Sequence, residues 1–153
     1  MLSVRKSALQ CATDVLNVHP GVQEVREMWV EGVFPRVDDN ETSVQEKTFL
    51  LMEEKILQGV ISQNVQDQSL SWDLLAFLST EKGNRLRIYL QKAIRHWNRQ
   101  QKVTKTLVQK IVYNLNNDDR KVPAWMTLKN DDAVPQRSNH SKACHRELEA
   151  KRS

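Results

Sequence analysis

The sequence predicts an all-α fold, an α-α superhelix of the HEAT or armadillo kind with about three stacked helix pairs. Apolar residues recur at helical spacing, and no run of alternating Val, Ile or Thr is bounded by turn residues. Residues 3–10 and 43–50 both open with Ser-Val and align at an offset of forty residues, with apolar columns in common. A period of that length built from helices is typical of such arrays.

Composition favours the same architecture. The hydrophobic fraction is 39%, with only four glycines and four prolines among 153 residues. Globular proteins average about 45–50% apolar residues when glycine is counted. A low apolar fraction is expected of a thin array, because each of its helices buries a single stripe against its neighbours.

The first two helices are predicted over residues 2–17 and 22–37, separated by the break His19-Pro20-Gly21. Pro35 should stop or kink the second helix. The spacing places four apolar residues of this helix on one stripe: Val25, Met28, Trp29 and Val33.

A third helix is predicted from Ser43 to about residue 57, after an acidic turn that contains Asp38 and Asp39. Ser43 is a good N-cap residue, and Glu46 three places later completes a capping box. Gly59 lies close to the expected end of this helix. The second and third helices then form one pair.

The last helices are predicted over residues 64–80, 85–100 and 104–115. The helix at 85–100 is the most clearly amphipathic, with Leu86, Leu90, Ala93, Ile94 and Trp97 in one sector. Residues 122–128 resemble the opening of a further helix that does not develop. We therefore predict a helical-repeat segment over residues 1–128 and a polar, disordered tail over 129–153.

Charge is segregated along the chain. Residues 22–81 hold twelve acidic and four basic side chains, whereas residues 82–117 hold nine basic and no acidic ones. The formal net charge is +4. This separation indicates that the two halves present surfaces of opposite sign.

The basic segment supplies the candidate nucleic-acid-binding residues. Four of them lie opposite the apolar sector of the amphipathic helix, and the others follow it: Arg85, Lys92, Arg95, Arg99, Lys102, Lys105 and Lys110. Such a row could track a phosphate backbone, with salt-dependent and sequence-independent binding. Two alternatives stay open. The row is simply the solvated face of a helix, or it docks on the acidic half of another copy or of a partner.

No catalytic, cofactor or metal site is predicted. His140, Cys144 and His145 lie close together, but a structural zinc site needs four ligands. Glu53 and Glu54 point about 100° apart on a helix and so do not form a facing acid-base pair. Glycine-rich phosphate loops and Gly-x-Ser-x-Gly motifs are missing from the sequence.

Cys11 and Cys144 are expected to be reduced, because a disulfide would tie a core helix to a loose end. The sequence shows no secretory signal and no apolar run long enough to span a membrane. A cytosolic or nuclear location is therefore expected.

Several motifs in order resemble the HEAT-repeat subunits of condensin, and most of all the large D-type subunits of condensin II. They are the helix openings at residues 3–10 and 43–47, the Trp-bearing segment 25–29 with 32–35 after it, and Trp97 in its basic helix. The resemblance covers residues 2–128. It departs at Thr48, where the family has alanine, and in length, since the family's members are far longer.

This resemblance implies a non-enzymatic scaffold, located in the nucleus on mitotic chromosomes. It implies kleisin and SMC proteins as partners, with contacts to DNA and chromatin, and it implies no cofactor, membrane or small-molecule substrate. A generic α-solenoid adaptor for another protein complex is the alternative, and an enzyme is a third, less favoured class.

Overall fold

The computed structural model describes residues 2–117, and every regular element in that range is helical. The all-α prediction is therefore confirmed for this part of the chain. The predicted tail at 129–153, the segment 122–128 and the group His140, Cys144 and His145 lie outside the described residues. The elements are α1 (Leu2–Val18), α2 (Gln23–Val33), the 3-10 helix η1 (Phe34–Asp38), α3 (Thr42–Met52), the π-helix η2 (Glu53–Leu57), α4 (Gln58–Val60), α5 (Val65–Phe77), the 3-10 helix η3 (Asn84–Leu86), α6 (Arg87–Arg99) and α7 (Lys105–Asn117).

Helices pack on their neighbours in layers. Helix α1 contacts both α2 and α3, α2 contacts α5, and α4 contacts α7. One contiguous hydrophobic core runs through these contacts, from Leu9 in α1 to Ile111 in α7. Contacts between a helix and its counterpart in the next pair are what a helical-repeat array requires, so the packing is consistent with that prediction.

The forty-residue alignment holds on the side of α1 that faces the core. Leu16 and its counterpart Ile56 are both buried. At two other aligned positions the helices differ in burial. Val4 is 60% exposed whereas its counterpart Val44 is fully buried, and Cys11 is exposed as well. Helix α3 has α1 on one side and α6 on another, whereas the outer side of α1 is exposed at Val4 and Cys11.

A buried tryptophan links α1 and α2. Trp29 is fully buried and donates from Nε1 to Thr13 Oγ1 over 3.0 Å. Its ring meets Phe34 edge to face, with centroids 5.9 Å apart. Pro35 falls in η1, where the α-helix gives way to a 3-10 turn as expected. The prediction that Met28 lies on the buried stripe was wrong, since its side chain is 50% exposed.

The predicted capping box at the start of α3 was also wrong. The helix begins at Thr42, with Glu41 in the N-cap position and no side-chain cap bond. Asp39 lies two residues before the N-cap, and its Oδ1 accepts from the backbone N–H of Glu41 over 3.0 Å, which holds the turn that leads into the helix. The start of α3 is therefore fixed by the preceding turn and not by Ser43.

A π-helical turn interrupts the long helix that runs from α3 through η2 to α4. The backbone N–H of Gln58 donates to Glu53 O, one residue further back than in an α-helix. Within this turn Ile56 O accepts a hydrogen bond from the buried Ser71 hydroxyl of α5 over 2.8 Å. A Cβ on Gly59 would lie 2.8 Å from Ser71 Cβ, so glycine permits the close approach of α4 and α5.

Candidate interaction surface on the basic helix

Helix α6 is oriented by its apolar sector. The residues predicted to face the core are all buried, with exposed fractions of 2% or less: Leu86, Leu90, Ala93, Ile94 and Trp97. Because a helix that buries one sector turns the opposite sector outward, the row of basic side chains faces away from the core. The amphipathic pattern of the sequence thus positions the candidate site.

The structure brings some of the seven candidate residues together and leaves others apart. Lys92, Arg95 and Arg99 line one surface groove between α6, α3 and η1, and Lys102 lines an adjoining depression. Arg85 and Lys105 are exposed outside both, and Lys110 lies on α7 with its ammonium 5.6 Å from the Tyr113 ring centroid. The candidates therefore form a cluster of four with three outliers.

Ion pairs tie the basic segment to the acidic segment of the same chain. Lys92 Nζ lies 2.7 Å from Asp38 Oδ2, and Lys102 Nζ lies 2.7 Å from Glu53 Oε1. Lys82 Nζ lies 2.8 Å from Glu27 Oε1. Part of the charge segregation along the sequence is thus compensated between stacked helices.

Four of the candidate residues keep their charge available. Within residues 2–117, no ion pair is formed by Arg85, Arg95, Arg99 or Lys105. Arg99 and Lys105 are exposed, and Arg95 is half-buried. These side chains can pair with an external anion without first breaking an ion pair in the described part of the chain.

The groove also contains residues that the sequence analysis did not single out. Phe49 of α3 stacks on His96 of α6, with centroids 4.1 Å apart and planes 11° from parallel. Glu46 lies in the same wall, and the groove encloses about 360 Å³. A helical wheel would have placed His96 at the edge of the basic sector. The contact with Phe49 spans two helices far apart in sequence, so no local signal reports it.

His96 is held in its neutral form. Burial lowers the pKa of its imidazole below 6.5, and the positive charges of Arg99 and Lys102 lower it further. The carboxylates of Glu53 and Glu46 act in the opposite direction but more weakly. At neutral pH the imidazole therefore serves as a stacking and hydrogen-bonding surface and adds no charge to the groove.

Metal sites and membrane-spanning helices were also sought in the described part of the chain. Among residues 2–117, no three His, Cys, Asp or Glu side chains come together as a metal ion would require. In the same range, no helix combines the length and apolar character needed to cross a bilayer. The surface is thus one of charged and aromatic side chains between packed helices.

Two curated proteins are similar to this chain. Condensin-2 complex subunit D3-L of Xenopus laevis is 34% identical over 132 residues, which cover 83% of this chain and 9% of that protein. Condensin-2 complex subunit D3 of Mus musculus is 32% identical over 121 residues, covering 76% of this chain and 8% of that protein.

Over this segment the chain belongs to the condensin-2 subunit D3 family. The resemblance to D-type condensin subunits is thereby confirmed. The chain spans less than a tenth of the length of the D3 relatives that it matches. The aligned part has to include most of residues 2–117, because the residues outside that range are too few to account for it. No family model and no solved structure matches the chain.

Proposed function

We propose that this chain is a non-enzymatic scaffold segment of a condensin-2-type complex and acts in mitotic chromosome condensation. The observation that carries the proposal is the 34% identity to a condensin-2 D3 subunit over 132 residues. The described architecture supports it, because stacked helices with one continuous core offer extended surfaces to partners. On this proposal the protein works in the nucleus, on chromosomes, beside kleisin and SMC proteins.

Within this role we propose that the basic row binds the phosphate backbone of duplex DNA. The support is electrostatic, since residues 82–117 contain no acidic residue, and Arg85, Arg95, Arg99 and Lys105 have no ion-pair partner within residues 2–117. Backbone binding of this kind is indifferent to sequence and weakens steeply with salt, because each contact releases counterions.

The DNA test uses the full chain and a short fluorescein-labelled duplex in anisotropy titrations at several salt concentrations. Replacing Arg85 and Lys105 by glutamate should weaken binding and reduce the salt slope by about 1 per residue. Arg95→Glu with Arg99→Glu should act in the same direction. Lys6→Glu, the same charge change on α1, is the matched control and should leave affinity nearly unchanged. Binding that is absent, or that does not respond to salt, would reject the DNA proposal.

A generic adaptor role remains the second candidate, favoured by the groove between α3 and α6 with its aromatic wall. Capture experiments separate the two. The condensin role predicts that the full chain retains kleisin segments in preference to unrelated peptides of matched charge. Equal retention of both would favour the adaptor.

A further inference from the structure

The groove between α3 and α6 continues into a second depression. The first encloses about 360 Å³ and the second about 290 Å³, and both are lined by Glu46, Phe49 and His96. Volumes of this order accommodate a few side chains of a bound segment. The stacked pair Phe49 and His96 therefore sits at the middle of one elongated site.

One end of this groove is cationic. Lys92 is engaged by Asp38, but Arg95 and Arg99 have no ion-pair partner within residues 2–117. Both guanidinium groups belong to residues that line the groove. The planar guanidinium group of arginine matches the geometry of a carboxylate, and the hydrogen bonds between them are stronger than those between neutral groups.

The other end combines one exposed leucine with the ion pair between Lys102 and Glu53. Leu50 is 57% exposed there, although it lies on a helix that otherwise packs into the core. Trp97 lines the same depression and is 1% exposed, and its Nε1 has no hydrogen-bond partner in the described part of the chain. A buried indole N–H without an acceptor is uncommon, because leaving it unpaired is energetically costly.

We propose that this groove docks an acidic peptide segment of a partner protein that carries one apolar side chain. Carboxylates of the segment pair with Arg95 and Arg99, and the apolar side chain packs on Leu50 beside Phe49. The site shares its two arginines with the proposed DNA surface. The peptide inference otherwise rests on groove residues that DNA binding does not use.

Three features favour a peptide over a duplex in this groove. Glu46 lies in its wall and would repel a continuous line of phosphates, whereas a peptide can place an uncharged residue beside it. An exposed leucine contributes nothing to a phosphate backbone. The depression beside Leu50 encloses about 290 Å³, which a flexible chain can enter and a stiff double helix cannot.

The test measures anisotropy of a short fluorescein-labelled peptide, with one leucine flanked on both sides by glutamates, added to the full chain. The peptide should bind, and replacing its glutamates by glutamine or its leucine by serine should each weaken binding about tenfold or more. Leu50→Glu and Arg99→Glu should have effects of the same size. Val65→Glu places the same charge at an exposed apolar site away from the groove and should change nothing.

Indole signals in a proton–nitrogen correlation spectrum give a second readout that does not depend on affinity. The Trp97 signal should shift on peptide addition, whereas that of Trp29, which already donates to Thr13, should stay in place. Unchanged peptide binding by Leu50→Glu and Arg99→Glu would overturn the inference.

The same variants distinguish the peptide from DNA. Leu50→Glu should weaken peptide binding about tenfold or more, whereas for DNA it adds one negative charge and removes no phosphate contact. If the peptide fails to bind but the duplex binds and loses affinity in Arg99→Glu, the peptide inference is rejected and the DNA proposal stands. If the peptide binds and the duplex does not, the DNA proposal fails alone.

Discussion

Trp29 Nε1 donates a hydrogen bond to Thr13 Oγ1 over 3.0 Å, and both residues are fully buried between α1 and α2. The Thr13 hydroxyl in turn donates to Leu9 O over 2.9 Å. One hydroxyl therefore satisfies a buried indole and a helix carbonyl at once, and it links the first two helices of the stack.

Thr13→Val should destabilise the protein by about 1–3 kcal/mol, because it leaves the Trp29 indole N–H buried without an acceptor. Valine keeps the shape of threonine, so the loss reports the hydrogen bonds and not a cavity. Urea unfolding measures the change. Thr106→Val makes the same substitution at an exposed position on α7 and should stay within about 0.5 kcal/mol of the wild type. Equal effects at the two sites would contradict the role given to Thr13.

The carboxylate of Asp39 forms a second link between elements of the stack. It accepts from Glu41 N–H, Arg36 Nη1 and Arg5 Nη2, and so joins α1, η1 and the start of α3. The backbone hydrogen bond from Glu41 is the largest of the effects that hold the pKa of this carboxyl below 3.8. Arg36 and Arg5 lower it further.

The stability that Asp39 contributes is present above pH 3.8 and is lost as the pH falls through its lower folded pKa, because the unfolded chain then binds the proton more tightly. Asp39→Asn should lower stability at neutral pH and flatten the decline of stability in acid. Urea unfolding between neutral and acidic pH checks both effects. Asp73→Asn, at an exposed position on α5, should keep the wild-type profile. A profile unchanged by Asp39→Asn would show that the carboxylate carries no such linkage.

The fold class and the orientation of α6 could be predicted from the sequence, because helical periodicity is local. Leu90, Ile94 and Trp97 recur at a spacing that only a helix brings onto one face. The same argument placed Arg95 and Arg99 on the outer face, where the structure has them exposed or half-buried.

The capping of α3 and the groove could not be predicted in this way. Ser43 satisfies the local signature of an N-cap, yet the observed N-cap is Glu41, two residues earlier. The preceding turn is fixed by Asp39, which pairs with the nearby Arg36 and with the distant Arg5. The stack of Phe49 on His96 depends on how α3 and α6 pack. Met28 shows the opposite error, since its spacing fits the stripe but half of its side chain stays exposed among residues 2–117.

Gly83 lies in the turn before η3, where the chain passes very close to the end of α5. A Cβ there would lie 2.1 Å from Phe77 O, which is backbone and cannot move aside as a side chain could. Gly83→Ala should therefore destabilise the protein by about 1–3 kcal/mol, the usual cost of overpacking.

Gly32 provides the matched control for this substitution. It lies inside α2, and a Cβ there meets nothing within 4 Å. Gly32→Ala should raise stability by about 0.5–1 kcal/mol, because alanine is the better helix former. Thermal or urea unfolding of both variants checks the opposite signs. Two changes of the same sign would show that the close approach at Phe77 is not what selects glycine.

His96 gives the groove a pH dependence of defined sign. Its pKa is lowered below 6.5 chiefly by burial against α3, and then by Arg99 and Lys102. The unfolded chain therefore takes up the proton at higher pH than the folded one. The contribution of His96 is fully present above pH 6.5 and is lost as the pH falls through its lower folded pKa.

Urea unfolding at pH 7.5 and at pH 5.5 tests this for the wild type, for His96→Gln and for His19→Gln. The difference in stability between the two pH values should shrink in His96→Gln, because glutamine does not titrate. His19→Gln removes an exposed histidine in the turn after α1 and should keep the wild-type difference. Protonated His96 is repelled by Arg99 and Lys102. A larger loss of stability between pH 7.5 and pH 5.5 in His96→Gln than in the wild type would therefore contradict the burial and charges described for this groove.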